Sequence, residues 1–171
     1  MTDYEALASA VKGSDAVVSA LGPPYSYSGL QVAPGSYTTT YSAIFKVMRE
    51  VGISRIFVMG TPSIHTPEDK YTLTLNLMIG ALRLFANKAW SEVVAVGRQL
   101  DEEASDLEWT MYRIGILSNK DGVTRAATYI GQDGWVLDTY RPGIAKWLVD
   151  ELEKAQPEWV RQKPTLYSVP K

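Results

Sequence analysis

The sequence has no cysteine, which excludes disulfides and thiolate metal sites. It has one histidine, His65, too few for a zinc or iron site that draws several nitrogen or sulfur ligands. It has no basic excess. Lys and Arg number 17 against 19 Asp and Glu, the net charge is −2 and the two signs are interspersed, which argues against a nucleic-acid partner. The first twenty residues carry acids and no continuous apolar stretch, so no secretory signal is visible. No run is clean enough for a membrane span. The greasiest segment, residues 71–86, holds Thr72, Thr74, Asn76 and Arg83 and reads as a buried helix. These absences point to a cytoplasmic protein with no metal, no membrane partner and no nucleic-acid partner.

What is present is a set of short apolar runs bounded by turn residues. The 171 residues are the size of one domain, and 46% of them are hydrophobic, enough for a core. Residues 14–22, Ser-Asp-Ala-Val-Val-Ser-Ala-Leu-Gly, lie between Gly13 and Pro23-Pro24. Residues 54–61 and 108–115 repeat that grammar, and helical patterns separate the three. Strand, helix, strand, helix, strand predicts a parallel sheet with helices on its faces. Ligands of such sheets bind beyond the carboxyl ends of the strands, here at Leu21-Gly22, Gly60-Thr61 and Gly115-Ile116.

The connecting segments are legible in the same terms. Thr2 and Glu5 form a capping box for a first helix that ends at Lys12-Gly13. Residues 23–36 hold too many prolines and glycines for regular structure; they read as a solvated connector, or as a pocket lid carrying Tyr25 and Tyr27. Tyr41, Ile44, Val47, Met48 and Val51 make the apolar stripe of a helix over 38–51. Thr66-Pro67-Glu68-Asp69 reads as the start of a helix running to about Lys88. A further helix spans 91–104. Asp133-Gly134, between β-rich halves, predicts a hairpin over 126–137. A last amphipathic helix follows Pro142-Gly143 and stops at Pro157, and 165–169 reads as a short strand. No repeat or linker divides the chain, so residues 1–171 are expected to form a single domain.

Four pieces in order, Lys-Gly-Ser-Asp-Ala-Val-Val-Ser-Ala-Leu-Gly, Gly-Ile-Ser-Arg-Ile-Phe-Val-Met-Gly-Thr, Leu-Glu-Trp-Thr-Met-Tyr-Arg-Ile-Gly and Leu-Val-Asp-Glu-Leu, resemble the atypical short-chain dehydrogenase/reductases of the NmrA-like and flavin/biliverdin-reductase-like type. The likeness covers almost the whole chain, with Arg113-Ile114-Gly115 where that family usually has Arg-Pro-Gly. It implies a Rossmann-like α/β fold and an NADP or NAD cofactor. The family opens with a strand, a Gly-x-x-Gly-x-x-Gly turn and a helix, and the turn receives the pyrophosphate. No such turn, no Gly-x-Gly-x-x-Gly and no P-loop occurs here. The expected fold is therefore an N-terminally truncated Rossmann-like parallel sheet with flanking helices and a C-terminal hairpin. Absence of cofactor is a second expectation. Residues 16–21, from Ala16 to Leu21, become an edge strand without charge or proline, and an edge of that kind calls for cover. A second copy, giving a homodimer, is the simplest cover; a separate chain or an upstream segment are the others.

For the site, the resemblance implies that Leu21, Gly22, Met59, Gly60 and Thr61 line the nicotinamide side, and Tyr25, Ser63, His65 and Ile116 the side of a small-molecule substrate. Thr61 and Ser63 stand where the family often has Ser-Ser; hydroxyls bonded to their own turn are the competing reading. The Tyr-x-x-x-Lys pair of the wider superfamily matches only Tyr167 and Lys171, in the tail and around a proline, and reads as chance. No catalytic residue is assigned. Two functions follow: an NAD(P)-dependent atypical reductase acting on a small carbonyl or conjugated substrate, or a cofactor-free descendant serving as an isomerase, a lyase or a binding or regulatory protein.

Overall fold

The computed structural model describes residues 4–23 and 32–171. Thr2 and Tyr25 lie outside the described residues. Helix α1 (Tyr4–Val11) leads into strand β1 (Ala16–Ser19), followed by α2 (Ser36–Val51) and β2 (Arg55–Gly60). Helices α3 (Leu73–Phe85) and α4 (Asn87–Glu103) precede β3 (Glu108–Ile114) and β4 (Ile116–Ser118). Strands β5 (Val123–Ala127) and β6 (Asp138–Tyr140), helix α5 (Arg141–Leu152) and strand β7 (Thr165–Val169) complete the chain.

The main sheet has the order β1-β2-β3-β7-β5. The first four strands run parallel, and β5 is antiparallel to β7. Both faces of the centre are buried, which is why β2 reads as one apolar run rather than an alternation. Ile56 and Val58 point to one face and pack with Phe45, Met48, Val96 and Leu100 of α2 and α4. Phe57 points to the other face and packs with Tyr112 and with Trp147 of α5.

The expected C-terminal hairpin does not form. Gly131 and Gly134 do take positive φ in a tight turn segment, but the flanking halves part company. Strand β5 pairs with β7, and β6 pairs in parallel with β4 as a separate two-stranded sheet. The glycines mark a turn, and longer-range pairing chooses the partners of its flanks.

The helix expected from Thr66 starts later, at Leu73. Thr72 caps it by accepting a hydrogen bond from the Leu75 N–H. Asp69 is diverted to a stronger partner. Its side chain, fully buried, pairs with the equally buried guanidinium of Arg113, Oδ2 to Nη1 at 2.5 Å. The same carboxylate accepts from the backbone N–H groups of Thr66 and Ile130, both at 2.7 Å. Arg113 also donates to the carbonyls of Ile64 and Lys163. One ion pair thus fastens β3 to three loops. Burial alone would raise the Asp69 pKa; the Arg113 and backbone N–H bonds outweigh it and hold the carboxyl below its usual range.

Strand β1 is the outer strand of the sheet, and among the described residues nothing pairs with its free side. Its Val18 is 45% exposed.

Candidate functional site

A cavity of about 350 Å³ opens beyond the carboxyl ends of β1, β2 and β3. Its floor comes from the residues that follow each strand: Gly22 and Pro23, then Thr61, Pro62 and Ser63, then Gly115 and Ile116. Its roof is α3, through Leu75, Met78, Ile79 and Leu82, and the start of α4 supplies Ala89, Trp90 and Val93. The wall is overwhelmingly apolar, as suits a small uncharged molecule.

Two glycines of the lining, Gly22 and Gly115, let these walls meet, and a third, Gly97 within α4, lets that helix lie against Ile64. A Cβ on Gly22 would lie 2.7 Å from Met59 Cε, and one on Gly97 2.8 Å from Ile64 Cγ2. Gly115 is tighter still: a Cβ there would fall 2.0 Å from the Leu137 carbonyl oxygen. That carbonyl accepts the Ile116 N–H at 2.9 Å, so the chain leaves β3 and crosses to the second sheet at a point where only glycine fits.

Few polar groups reach this wall. The Thr61 hydroxyl accepts from the Ser63 N–H at 3.3 Å, the turn arrangement that competed with a binding role. Such a hydroxyl keeps its own proton to give to a ligand oxygen. The buried indole N–H of Trp90 has no hydrogen-bond partner among the described residues. Tyr112 crosses the sheet and donates to the Ser19 carbonyl at 3.0 Å, and Tyr41 meets the Ser19 hydroxyl at 2.8 Å. Burial raises the pKa of both tyrosines above the ordinary phenol value, so they act as neutral struts for the end of β1.

The structure brings Gly22, Met59, Thr61, Ser63 and Ile116 together around the cavity. It leaves out three other candidates. Leu21 lies exposed beside the cavity rather than on its wall. Gly60 faces the core, where a Cβ would meet Met111 Cγ at 2.8 Å; in a period-two strand it points away from Met59. His65 stacks on Tyr71, ring centroids 4.2 Å apart, and lines a different, polar hollow with Thr66, Arg161 and Lys163. Tyr71 is itself fixed by donating to the Pro62 carbonyl at 2.5 Å. The tail pair is not a pair: Tyr167 is buried in β7 and Lys171 binds Asp121. Sequence reasoning missed the roof. Leu75, Met78, Ile79 and Leu82 follow the helical period of ordinary core residues, and nothing in that period marks a cavity.

The N-terminus of α2, the first helix after β1, has an internal occupant. Glu92 of α4 is buried and accepts from the Gly35 N–H at 2.6 Å and the Tyr37 N–H at 3.0 Å. A carboxylate of the chain thus fills the position where a helix terminus would receive an anion.

Comparison with known proteins bears on this geometry. No curated protein matches the sequence. Among solved structures, the chain is similar to a short-chain dehydrogenases/reductase from Veillonella parvula, at TM-score 0.69 and 15% identity, over 97% of this chain and 68% of that one. It is also similar to a Veillonella parvula short-chain dehydrogenases/reductase in complex with NADP, at TM-score 0.64 and 17% identity, over 98% and 69% of the two chains. An oxidoreductase from Lactococcus lactis gives TM-score 0.65 at 14% identity, over 98% and 68%. Identities this low speak for the fold alone. The family model for NAD(P)H-binding proteins matches residues 1–155, nearly the whole chain, and so the chain belongs to the NAD(P)H-binding family.

Proposed function

We propose that the chain is a reductase-like protein of the atypical kind, taking a small, uncharged carbonyl or conjugated molecule into the cavity beneath α3. The observation that carries this reading is the place and chemistry of the cavity: apolar walls at the carboxyl ends of three parallel strands, with the hydroxyls of Thr61 and Ser63 at its floor. NADP or NAD would supply a hydride when bound. The chain's own residues would exclude water through the apolar roof, and Thr61 or Ser63 would donate to a substrate oxygen.

The fit to that cofactor is partial. A flat ring suits the floor at Gly22, Met59 and Thr61. The glycine-rich turn that receives the pyrophosphate in the family does not occur in the sequence, and at the α2 N-terminus Glu92 already takes the place of an anion. That observation supports a second reading, in which the cavity serves a cofactor-free isomerase or lyase, or a binding or regulatory protein. Titration of the full chain with NADPH and NADH, followed by nucleotide fluorescence, separates the two. Micromolar binding supports the reductase. No binding at millimolar nucleotide from a folded protein leaves the cofactor-free reading.

The open edge of β1 supports a homodimer through residues 16–21, since an unpaired apolar edge is self-complementary across a two-fold axis. Sedimentation of the full chain would give twice the chain mass, and Val18→Lys, which sets like charges across the pair, would return it to one.

A further inference from the structure

Helix α3 is expected from its sequence to be core, and it is the least buried helix around the cavity. Only Leu75 is buried. Met78, Ile79 and Leu82 form the rest of the roof. The flank turned away from the cavity carries Leu73, Leu77, Leu84 and Phe85, which are 76%, 65%, 74% and 79% exposed. With Ala81, these residues recur at the spacing of one helical face. A helix apolar around most of its circumference requires cover.

The charges around the helix identify the cover. Lys70, Arg83 and Lys88 lie before, within and after α3, and no acid occurs from residue 70 to residue 91. The nearest acid on each side is turned inward, Asp69 to Arg113 and Glu92 to the α2 N-terminus, and the exposed Glu68 lies beyond Asp69. A chain of net charge −2 thus presents its most exposed apolar helix among cations. Two copies packed α3 against α3 would bring those cations together. An anionic lipid surface would meet apolar face and cations at once. The helix, about 20 Å long at 1.5 Å per residue, suits lying in the interface; among the described residues, no helix is long and apolar enough to cross a membrane.

We propose that α3 seats the protein on an anionic lipid surface, with Leu73, Leu77, Leu84 and Phe85 in the acyl boundary and the charges of Lys70 and Arg83, each held over an aromatic ring (Tyr129 and Trp90), facing the headgroups. This departs from the expectation of no membrane partner, which rested on α3 being buried. It is independent of which reading of the cavity holds.

Co-sedimentation of the full chain tests it, with vesicles of phosphatidylcholine alone and of phosphatidylcholine mixed with phosphatidylserine. Binding is expected to the mixed vesicles, about tenfold or more weaker to the neutral ones, and weaker as salt rises. Leu77→Glu combined with Leu84→Glu, both outside the cavity wall, should abolish it while the circular dichroism spectrum stays unchanged. The neutral-against-anionic comparison decides even if that variant fails to fold. Equal or absent binding to the two vesicle types overturns the proposal. So does a dimer that the double variant dissociates, which would make a second copy the cover.

Discussion

The Asp69 and Arg113 side chains do not line the cavity, but they join the segments that supply residues 61–63 and Gly115 to its floor. They have no solvent exposure and hold each other with two more loops attached, through Ile130 and Lys163. Above the same cavity, α3 is bound to the body by one buried leucine. The floor is cross-linked by charge and hydrogen bonds that nothing outside the chain can replace. The roof rests on a narrow apolar contact and leaves most of its circumference uncovered. A small-molecule site divided this way has a fixed reference frame and a side that can yield. Local opening draws on regions with few buried contacts, so the roof should open well before the sheet does.

The largest effect should follow from cutting the floor. Asp69→Ala leaves the Arg113 guanidinium buried without its counter-charge, and about 3–5 kcal/mol of stability should be lost, read from the urea midpoint. The same pair sets the acid limit. Because the folded Asp69 pKa lies below its unfolded value of about 3.9, its contribution is complete above that value and is lost as pH falls through the folded pKa. The wild-type midpoint should therefore fall steeply below about pH 4. A midpoint flat through that range would mean that the pair holds the loops less firmly than its geometry implies.

Next comes the seam between floor and second sheet. Gly115→Ala drives a Cβ into the Leu137 carbonyl oxygen, and the backbone must shift. The expected cost is about 1–3 kcal/mol, measured by thermal unfolding, with loss of ligand binding at Ile116. Unchanged stability would show that the chain can leave β3 by another path.

These sites also show how far the sequence alone reaches. Strands β1, β2, β3 and β7 were legible because apolar runs between turn residues have few other solutions in an α/β chain. Arg113 in its strand and Asp69 after its proline were legible as residues but not as a pair, since 44 positions separate them. The hairpin at Asp133-Gly134 failed for the related reason that local turn chemistry does not name strand partners. The floor of the cavity followed from the strand ends. The roof did not, because a helix apolar around most of its circumference has the same composition whether it is buried or covers a cavity with one arc.

The smallest effects belong to the roof, and a pair of leucines on one helix sharpens the contrast. Leu75→Ala removes the only buried anchor of α3. Its cost should be about 2 kcal/mol, at the low end for a buried leucine because the exposed helix can settle into the space. Faster hydrogen exchange should be confined to α3, with the sheet amides unchanged. Two residues along, Leu77→Ser removes a side chain already 65% exposed. Global stability should change by less than about 0.5 kcal/mol, within the range of ordinary surface substitutions. If instead Leu77→Ser costs as much as Leu75→Ala in the isolated protein, both flanks of α3 are covered in solution, and the cover forms without lipid. If neither costs anything, the roof is not packed on the body and the cavity is open at the top. Only the unequal result keeps α3 as a helix held on one side and available on the other.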